Sequence, residues 1–431
     1  MAGQRRQKFL HLGQTLFRFT TVQIFVQIVA MFVSLLLVRS MPKAQYAFYT
    51  IANALLSTVL ALSDSGMTAG LQAIGGTFHS DNYRMGQLLR TGIGLRRTMY
   101  FLAAAVVLPI LPYMLWKAGA GVPVILETLV LVIIATQLQL VVGIYSAVPR
   151  LRGDIGSLQK VALVGSFLRL LLILPAYFLY MSIGVALLAQ VMAGIGQVYI
   201  LSRWSRKHVD MNVSPDKEIR SSVLRIVRSQ IPYEIYGVFQ GQISVWLITI
   251  FGSNSQIANL GAITRLGVVF VVIPRVIDAV LTPRLSRCMQ VERLRKIYWQ
   301  IFMVYGIFTA TCLGLVLIKP DLVLRLLGKQ YMSLHHDLVL AMILAAISTL
   351  QGGAQAMNMS RGWVVPAYFG ITLTIATQIG AFALVNLSTV HGVLLAGMAV
   401  SLANLCLQLT GSEVFVRKTM RDQRLANTLA T

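Results

Sequence analysis

Twelve apolar runs, each near the 17–25 residues a helix needs to cross a hydrocarbon core, follow one another along this chain. In the first half they fall at about 19–38, 45–63, 98–116, 124–148, 158–180 and 183–201. In the second they fall at about 233–251, 257–281, 297–318, 337–357, 365–385 and 391–411. Charged residues are only 12% of the chain and its mean hydropathy is +0.73, whereas soluble domains carry roughly 25% charge. Too little polar surface exists to cover a water-exposed globule, so the bilayer is the expected solvent. The expected fold is an all-α polytopic membrane protein of about 12 transmembrane helices.

The formal net charge of +23 would suggest a nucleic-acid partner in a soluble protein, but here position decides its meaning. With both termini in the cytoplasm, the inner segments hold Arg5, Arg6, Lys8, Arg18, Arg84, Arg90, Arg96, Arg97, Arg150, Arg152 and Lys160. They also hold the dense run from Arg203 to Arg228, that from Arg284 to Lys296, Arg361, and Arg417 to Arg424. The outer segments hold only Arg39, Lys43, Lys117, Lys319, Arg325 and Lys329. That asymmetry is the positive-inside pattern, and it suits an anionic inner leaflet, so membrane lipids and no nucleic acid are the expected surroundings. The basic start runs straight into the first span, so no cleaved signal peptide is expected. Cys288, Cys312 and Cys406 lack paired spacing, and the adjacent His335 and His336 cannot share a helical face. Neither a disulfide framework, a metal site nor a cofactor is expected.

The six spans of the first half recur in the second at offsets of roughly 200–214 residues. A six-helix repeat crosses an even number of times, so both copies insert with the same orientation. The expected division is a bundle at 1–204, a basic cytoplasmic linker at 205–231 and a bundle at 232–431. In the linker, Ser214 is the expected N-cap with Pro215 at the first helical position. Ile219, Val223, Leu224 and Val227 then form an apolar stripe opposite Arg220, Arg225 and Arg228, the pattern of an amphipathic helix at the cytoplasmic interface. It serves either as a tether between halves or as a site of headgroup recruitment. The first helix of each half repeats a polar face: Thr20, Gln23, Gln27 and Ser34, then Tyr233, Tyr236, Gln240 and Ser244. These side chains either bond between helices or line a hydrated cavity.

Ionisable groups at membrane depth are costly and by default mark pathways or binding sites. Arg265 lies near the middle of the eighth span, with no acidic residue within one turn. Arg275 and Asp278, three residues apart, can neutralise each other. Arg169 lies within the fifth span, while Arg18 and Arg39 bracket the first. Asp64 closes the second helix in "LALSDSGM", and Glu234 stands near the start of the seventh. Arg265, Arg275, Arg169, Arg18 and Arg39 are the candidates for phosphate, since a guanidinium stays charged and bonds bidentately. Gln23, Gln27, Tyr233, Tyr236 and Gln240 are the candidates for sugar hydroxyls. Asp64, Asp278 and Glu234 are those for a coupling ion. No nucleotide motif or soluble catalytic domain stands in the sequence, so an enzyme is not expected.

The stretch "LVRSMPKAQYAFYTIANALLSTVLALSDSGMTAG" resembles the start of bacterial polysaccharide flippases of the multidrug/oligosaccharidyl-lipid/polysaccharide exporter superfamily. There a basic residue closes the first helix, an aromatic segment opens the second, and Asp-x-Gly follows; here these are Arg39, Tyr46 to Tyr49, and Asp64 to Gly66. "IVRSQIPYEIYGVF" resembles the opening of that family's second half, and "LGAITRLGVVFVVIPRVIDAVLTPRLSR" its eighth helix. The resemblance implies a V-shaped carrier that flips an undecaprenyl-pyrophosphate-linked oligosaccharide across the bacterial inner membrane by alternating access. It implies H+ or Na+ as coupling ion, and a polysaccharide polymerase and export complex as partners. One rival is a drug or cation exporter of the same superfamily, which would favour carboxylates over arginines at mid-depth. Another is a membrane-embedded polymerase or ligase, which would carry a large external loop; the longest outer segment, about 319–336, is short.

Overall fold

The computed structural model describes residues 21, 22, 24–75, 81–152, 154–210, 212–267, 269, 270, 285, 291–361, 363 and 366–430. Among these it is nearly all helical and contains no strand. The first six expected spans correspond to α1 (Ile24–Ser40), α2 (Lys43–Asp64) with its short extension α3 (Met67–Gly75), α4 (Asn82–Val107) with α5 (Ile110–Lys117), α6 (Val122–Tyr145) with α7 (Ala147–Leu151), α8 (Ile155–Leu179) and α9 (Ile183–His208). The remaining helices are α10 (Lys217–Phe251), α11 (Asn254–Leu266), α12 (Val291–Ile318), α13 (Pro320–Leu327), α14 (His335–Ser360), α15 (Ala367–Leu384) and α16 (Val390–Ala430). Eight stretches of the described chain are long and apolar enough to cross a membrane, and α1 and α15 are shorter apolar helices. Residues 268 and 271–281 of the eighth expected span lie outside the described residues.

Two boundaries differ from the sequence reading, each for a physical reason. The third span, expected from residue 98, begins at Asn82, where the Asp81 carboxylate accepts from the backbone N–H groups of Tyr83 and Arg84. Its first turns carry Arg84 and Arg90 and escape an apolar scan. In the linker, Asp216 rather than Ser214 is the N-cap, accepting from Ile219 N–H at 2.8 Å. The helix it starts does not stop before the seventh span. Linker helix and span form one continuous 35-residue helix, about 50 Å long at 1.5 Å per residue.

The chain divides into two compact units, Met1–Ala258 and Asn259–Thr431. In the first, α9 packs against α6 and α8, and α2 packs against α4, α6 and α10. Ile219, Val223 and Val227 are buried in this unit, with Val223 held against Gly70 of α3. The linker's apolar stripe is thus used on protein instead of lipid, and Arg220, Arg225 and Arg228 remain exposed. In the second unit, α14 packs on α12 and α16, with the ring of Tyr305 flat against Gly353. Large apolar side chains on the outside, such as Phe101, Leu102, Phe178 and Leu384, are what a bilayer-facing surface requires.

Polar contacts gather the ends of four helices in the first unit. Arg152 donates to His208 C=O at 2.8 Å and to Asn82 Oδ1 at 2.6 Å. Asp210 N–H reaches Asn82 C=O, and Asp216 N–H reaches the buried Thr91 hydroxyl at 3.0 Å. A Cβ on Gly86 would stand 2.0 Å from the Asp210 carbonyl, so only glycine lets the linker lie this close to α4. Asp154 caps α8 through Ser157 and accepts from Trp204 Nε1 at 2.9 Å. Burial pushes this carboxyl up, but the hydrogen bonds from Ser157 and Trp204, and nearby His208, outweigh it and hold it below the ordinary range.

Two outcomes follow from this end of the unit. Gly86→Ala is expected to loosen the linker at a cost of about 1–3 kcal/mol, seen as faster tryptic cleavage within 203–228 and a lower thermal midpoint. Unchanged cleavage would mean the close approach is not what holds it. A carboxyl whose folded pKa is depressed contributes stability that is complete above its unfolded value and lost as pH falls through the folded one. Asp154→Asn should therefore melt below the native chain at pH 7, and the two curves should converge on acidification. Parallel curves throughout would sink this account.

Candidate functional site

Arg169 stands near the middle of α8 in the run "LRLLLIL", ten residues or more from either end of that helix. Its Nη2 donates to the hydroxyl of Tyr49 at 2.7 Å, while its buried Nε has no acceptor among the described residues. No acidic residue pairs with it there. Tyr49 is itself buried in α2, with its ring 6.0 Å from that of Tyr46. The aromatic opening of α2 thus supplies a neutral acceptor to a membrane-embedded cation. A hydrogen bond of this kind orients the guanidinium and leaves its charge uncompensated.

The second charged cluster lies fifteen residues further along α2, about 22 Å away along the helix axis. The helix ends at Asp64, then Ser65 at φ 31° and Gly66 at φ 80° turn the chain into α3. These left-handed positions let Asp64 reach forward, so its Oδ1 accepts from the Thr68 hydroxyl at 2.7 Å and from Thr68 N–H at 3.3 Å. The same oxygen lies 2.9 Å from Nη2 of Arg96, which comes across from α4 and is only 8% exposed. The guanidinium lies flat on Gly143 of α6, where a Cβ would stand 2.9 Å from Nη1. Arg96 Nε and Nη1 have no acceptor among the described residues. Arg150 of α7 is close enough to act on Arg96 electrostatically.

Of the other candidates, Gln27 of α1 and Gln240 of α10 are half-buried, and neither makes a side-chain hydrogen bond to a described residue. Tyr236 is half-buried, as is Glu234, which joins no ion pair among the described residues. Arg265 is half-buried in the last turn of α11 and has a partner; Arg39, at the end of α1, is exposed and also partnered. Arg18, Gln23, Arg275 and Asp278 lie outside the described residues, as does the side chain of Tyr233. Glu413 of α16 is committed to Arg295 and to Trp299 Nε1.

Sequence reasoning missed Arg96, which it grouped with the surface charges, and Tyr49. A signal for Arg96 was present. Met85, Leu88, Leu89 and Gly92 precede it and Tyr100 follows it on one helical face, so it falls on the buried stripe of α4 while Arg97 faces out over Phe101. Histidines set aside for metal binding take other partners: His335 meets Asp321 at 3.1 Å, and His391 meets Asp337 at 3.9 Å.

No family model matches the chain, and no curated protein matches it. Solved structures do. The chain is similar to a multidrug resistance MATE family transporter of the MOP superfamily in its inward-facing conformation, with a TM-score of 0.71 and 15% identity over 95% of this chain and 99% of that one. It is similar to the lipid II flippase MurJ in an inward closed conformation, with a TM-score of 0.72 and 10% identity over 92% and 87%. It is also similar to a MOP superfamily transporter from Pyrococcus furiosus described by the reverse polarity of its binding pocket, with a TM-score of 0.58 and 14% identity over 93% and 94%. What these identities show is the fold: a polytopic helical membrane protein built like the MOP superfamily transporters.

The geometry of Arg96 makes Gly143 a test of its seat. Gly143→Ala is expected to push the guanidinium off Asp64 and destabilise the protein by about 1–3 kcal/mol. In an Arg96→Met background the same change should cost far less, so a thermal-shift double-mutant cycle should show coupling. Additive effects would show that the glycine serves some other contact.

Proposed function

We propose that this chain is a transporter that flips a lipid-linked oligosaccharide, carried on undecaprenyl pyrophosphate, across the bacterial inner membrane. In this reading the bundles at 1–204 and 232–431 alternate access around a cationic interior, with both termini in the cytoplasm. The observation that carries it is Arg169: a mid-span guanidinium held by a neutral tyrosine, with no acid among the described residues to compensate it. Such a charge needs hydration or an anionic ligand, and phosphate matches its planar fork. Half-buried amides without side-chain hydrogen bonds to described residues, Gln27 and Gln240, suit a hydroxyl-rich cargo. The solved likenesses include a multidrug transporter and a lipid II flippase, so substrate chemistry must choose between them. A cation exporter needs uncommitted carboxylates; Asp64 is bound to Arg96 and Glu413 to Arg295, which leaves Glu234 as a half-buried carboxylate with no ion pair among the described residues. Arg265, Arg275, Arg18 and Arg39 are further phosphate contacts in this proposal, with Gln23, Tyr233 and Tyr236 beside the sugar. H+ or Na+ is the coupling ion, drawing on Asp64, Asp278 or Glu234, and a polymerase and export complex take the product.

The test is polysaccharide export in a strain lacking its own flippase. Arg169→Ala and Arg265→Ala, each inserted at native levels, are expected to reduce export about ten- to hundredfold, the loss of one charged hydrogen-bonding group. Lysine at either position should restore part of it, since a point charge replaces a fork. Full export by both alanine variants, or efflux of organic cations by the native chain, would overturn the proposal.

A further inference from the structure

We infer that Arg96 is a second phosphate-binding group of this transporter, and that Asp64 occupies it in the substrate's place. The inference rests on the flippase reading for its substrate and on the α2–α4–α6 geometry for its site. Asp64 engages the guanidinium by one prong only, Oδ1 to Nη2 at 2.9 Å, while Nε and Nη1 are buried without acceptors among the described residues. A residue 92% buried with two idle nitrogens, three N–H donors in all, is an unusual expense for a purely structural pair, since each buried unsatisfied donor is destabilising. A carboxylate that also serves Thr68 through the same oxygen cannot satisfy the fork, but a phosphate, with three or four acceptor oxygens, can. The site opens from the Asp64 side, whose side chain is 35% exposed against 9% for that of Arg96. Arg150 adds positive potential there.

When a phosphate oxygen takes Arg96, the Asp64 carboxylate gives up its cation and keeps its hydrogen bonds from Thr68; when phosphate leaves, the ion pair re-forms. Arg150 of α7 acts on Arg96 from alongside. α3 has no titratable residue, while α4 also carries Arg84, Arg90 and Arg97, and α10 Lys217, Glu218, Arg220, Arg225 and Arg228, all exposed. Anion binding at the basic end of the unit thereby competes with the ion pair at the break between α2 and α3.

The experiment uses the purified full chain in phosphatidylcholine nanodiscs, titrated calorimetrically with inorganic pyrophosphate and with farnesyl pyrophosphate. The native chain is expected to bind both. Asp64→Asn should bind about tenfold tighter, its competitor removed, and Arg96→Gln should lose about tenfold or more. Arg96→Lys, which keeps the charge and guards against misfolding, should bind more weakly than native. Tighter binding of farnesyl pyrophosphate supports a lipid-borne source for the phosphate, and equal binding supports the same site filled by free phosphate. Native-like binding by the folded Arg96 variants, or an Asp64→Asn protein with unchanged affinity, would overturn the inference. Because this assay needs no transport, anion binding that behaves as expected beside efflux of organic cations by the native chain would fault the flippase reading alone.

Discussion

A guanidinium placed among hydrocarbon must find a partner, and the arrangement of the first unit follows from how its arginines find theirs. The protein offers two solutions along a single helix. Near the opening of α2, Arg169 receives the oxygen of Tyr49 and keeps its full charge. At the end of α2, Arg96 receives a carboxylate and is neutralised. The first leaves an electrostatic demand that water or cargo must meet; the second meets it internally by one prong of three.

Close packing makes these solutions available. Gly143 lets Arg96 lie flat on α6, and Gly86 lets the linker backbone press on α4. In each case a hydrogen in place of a methyl decides whether a polar group reaches its partner. The left-handed pair Ser65 and Gly66 has the same role in backbone terms, since it turns the chain while leaving Asp64 directed at both Thr68 and Arg96. Small residues in a membrane protein are often read as helix-packing surfaces. Here several of them also provide the room for charge.

Much of the helical layout was legible in the sequence, because a hydrocarbon slab imposes one length on every span and the linker's stripe of Ile219, Val223 and Val227 repeats at helical spacing. The start of α4 was not legible, since its cap and first basic turns are polar and a hydropathy scan discards them. The pairing of Asp64 with Arg96 was equally hidden: its members are 32 positions apart, and only the packing of α2 on α4 joins them. Arg169 was legible as a charge within the fifth span, where α8 carries it, but its partner Tyr49 read as part of an aromatic motif. Periodicity shows which face a residue takes, and long-range packing alone shows what waits there.

The fusion of the linker helix with the seventh span has a mechanical meaning. α10 is held at its polar end by Val223 on Gly70 and by the Asp216–Thr91 hydrogen bond, and it runs unbroken to Phe251. An unbent helix about 50 Å long would convert a 5° tilt at the held end into a displacement of about 4–5 Å at the other. Pro232 stands inside α10 and removes one hydrogen bond from its ladder, so bending of the helix is concentrated there. The held end at Gly70 and the proline thus divide α10 into an anchored half and a half free to lean.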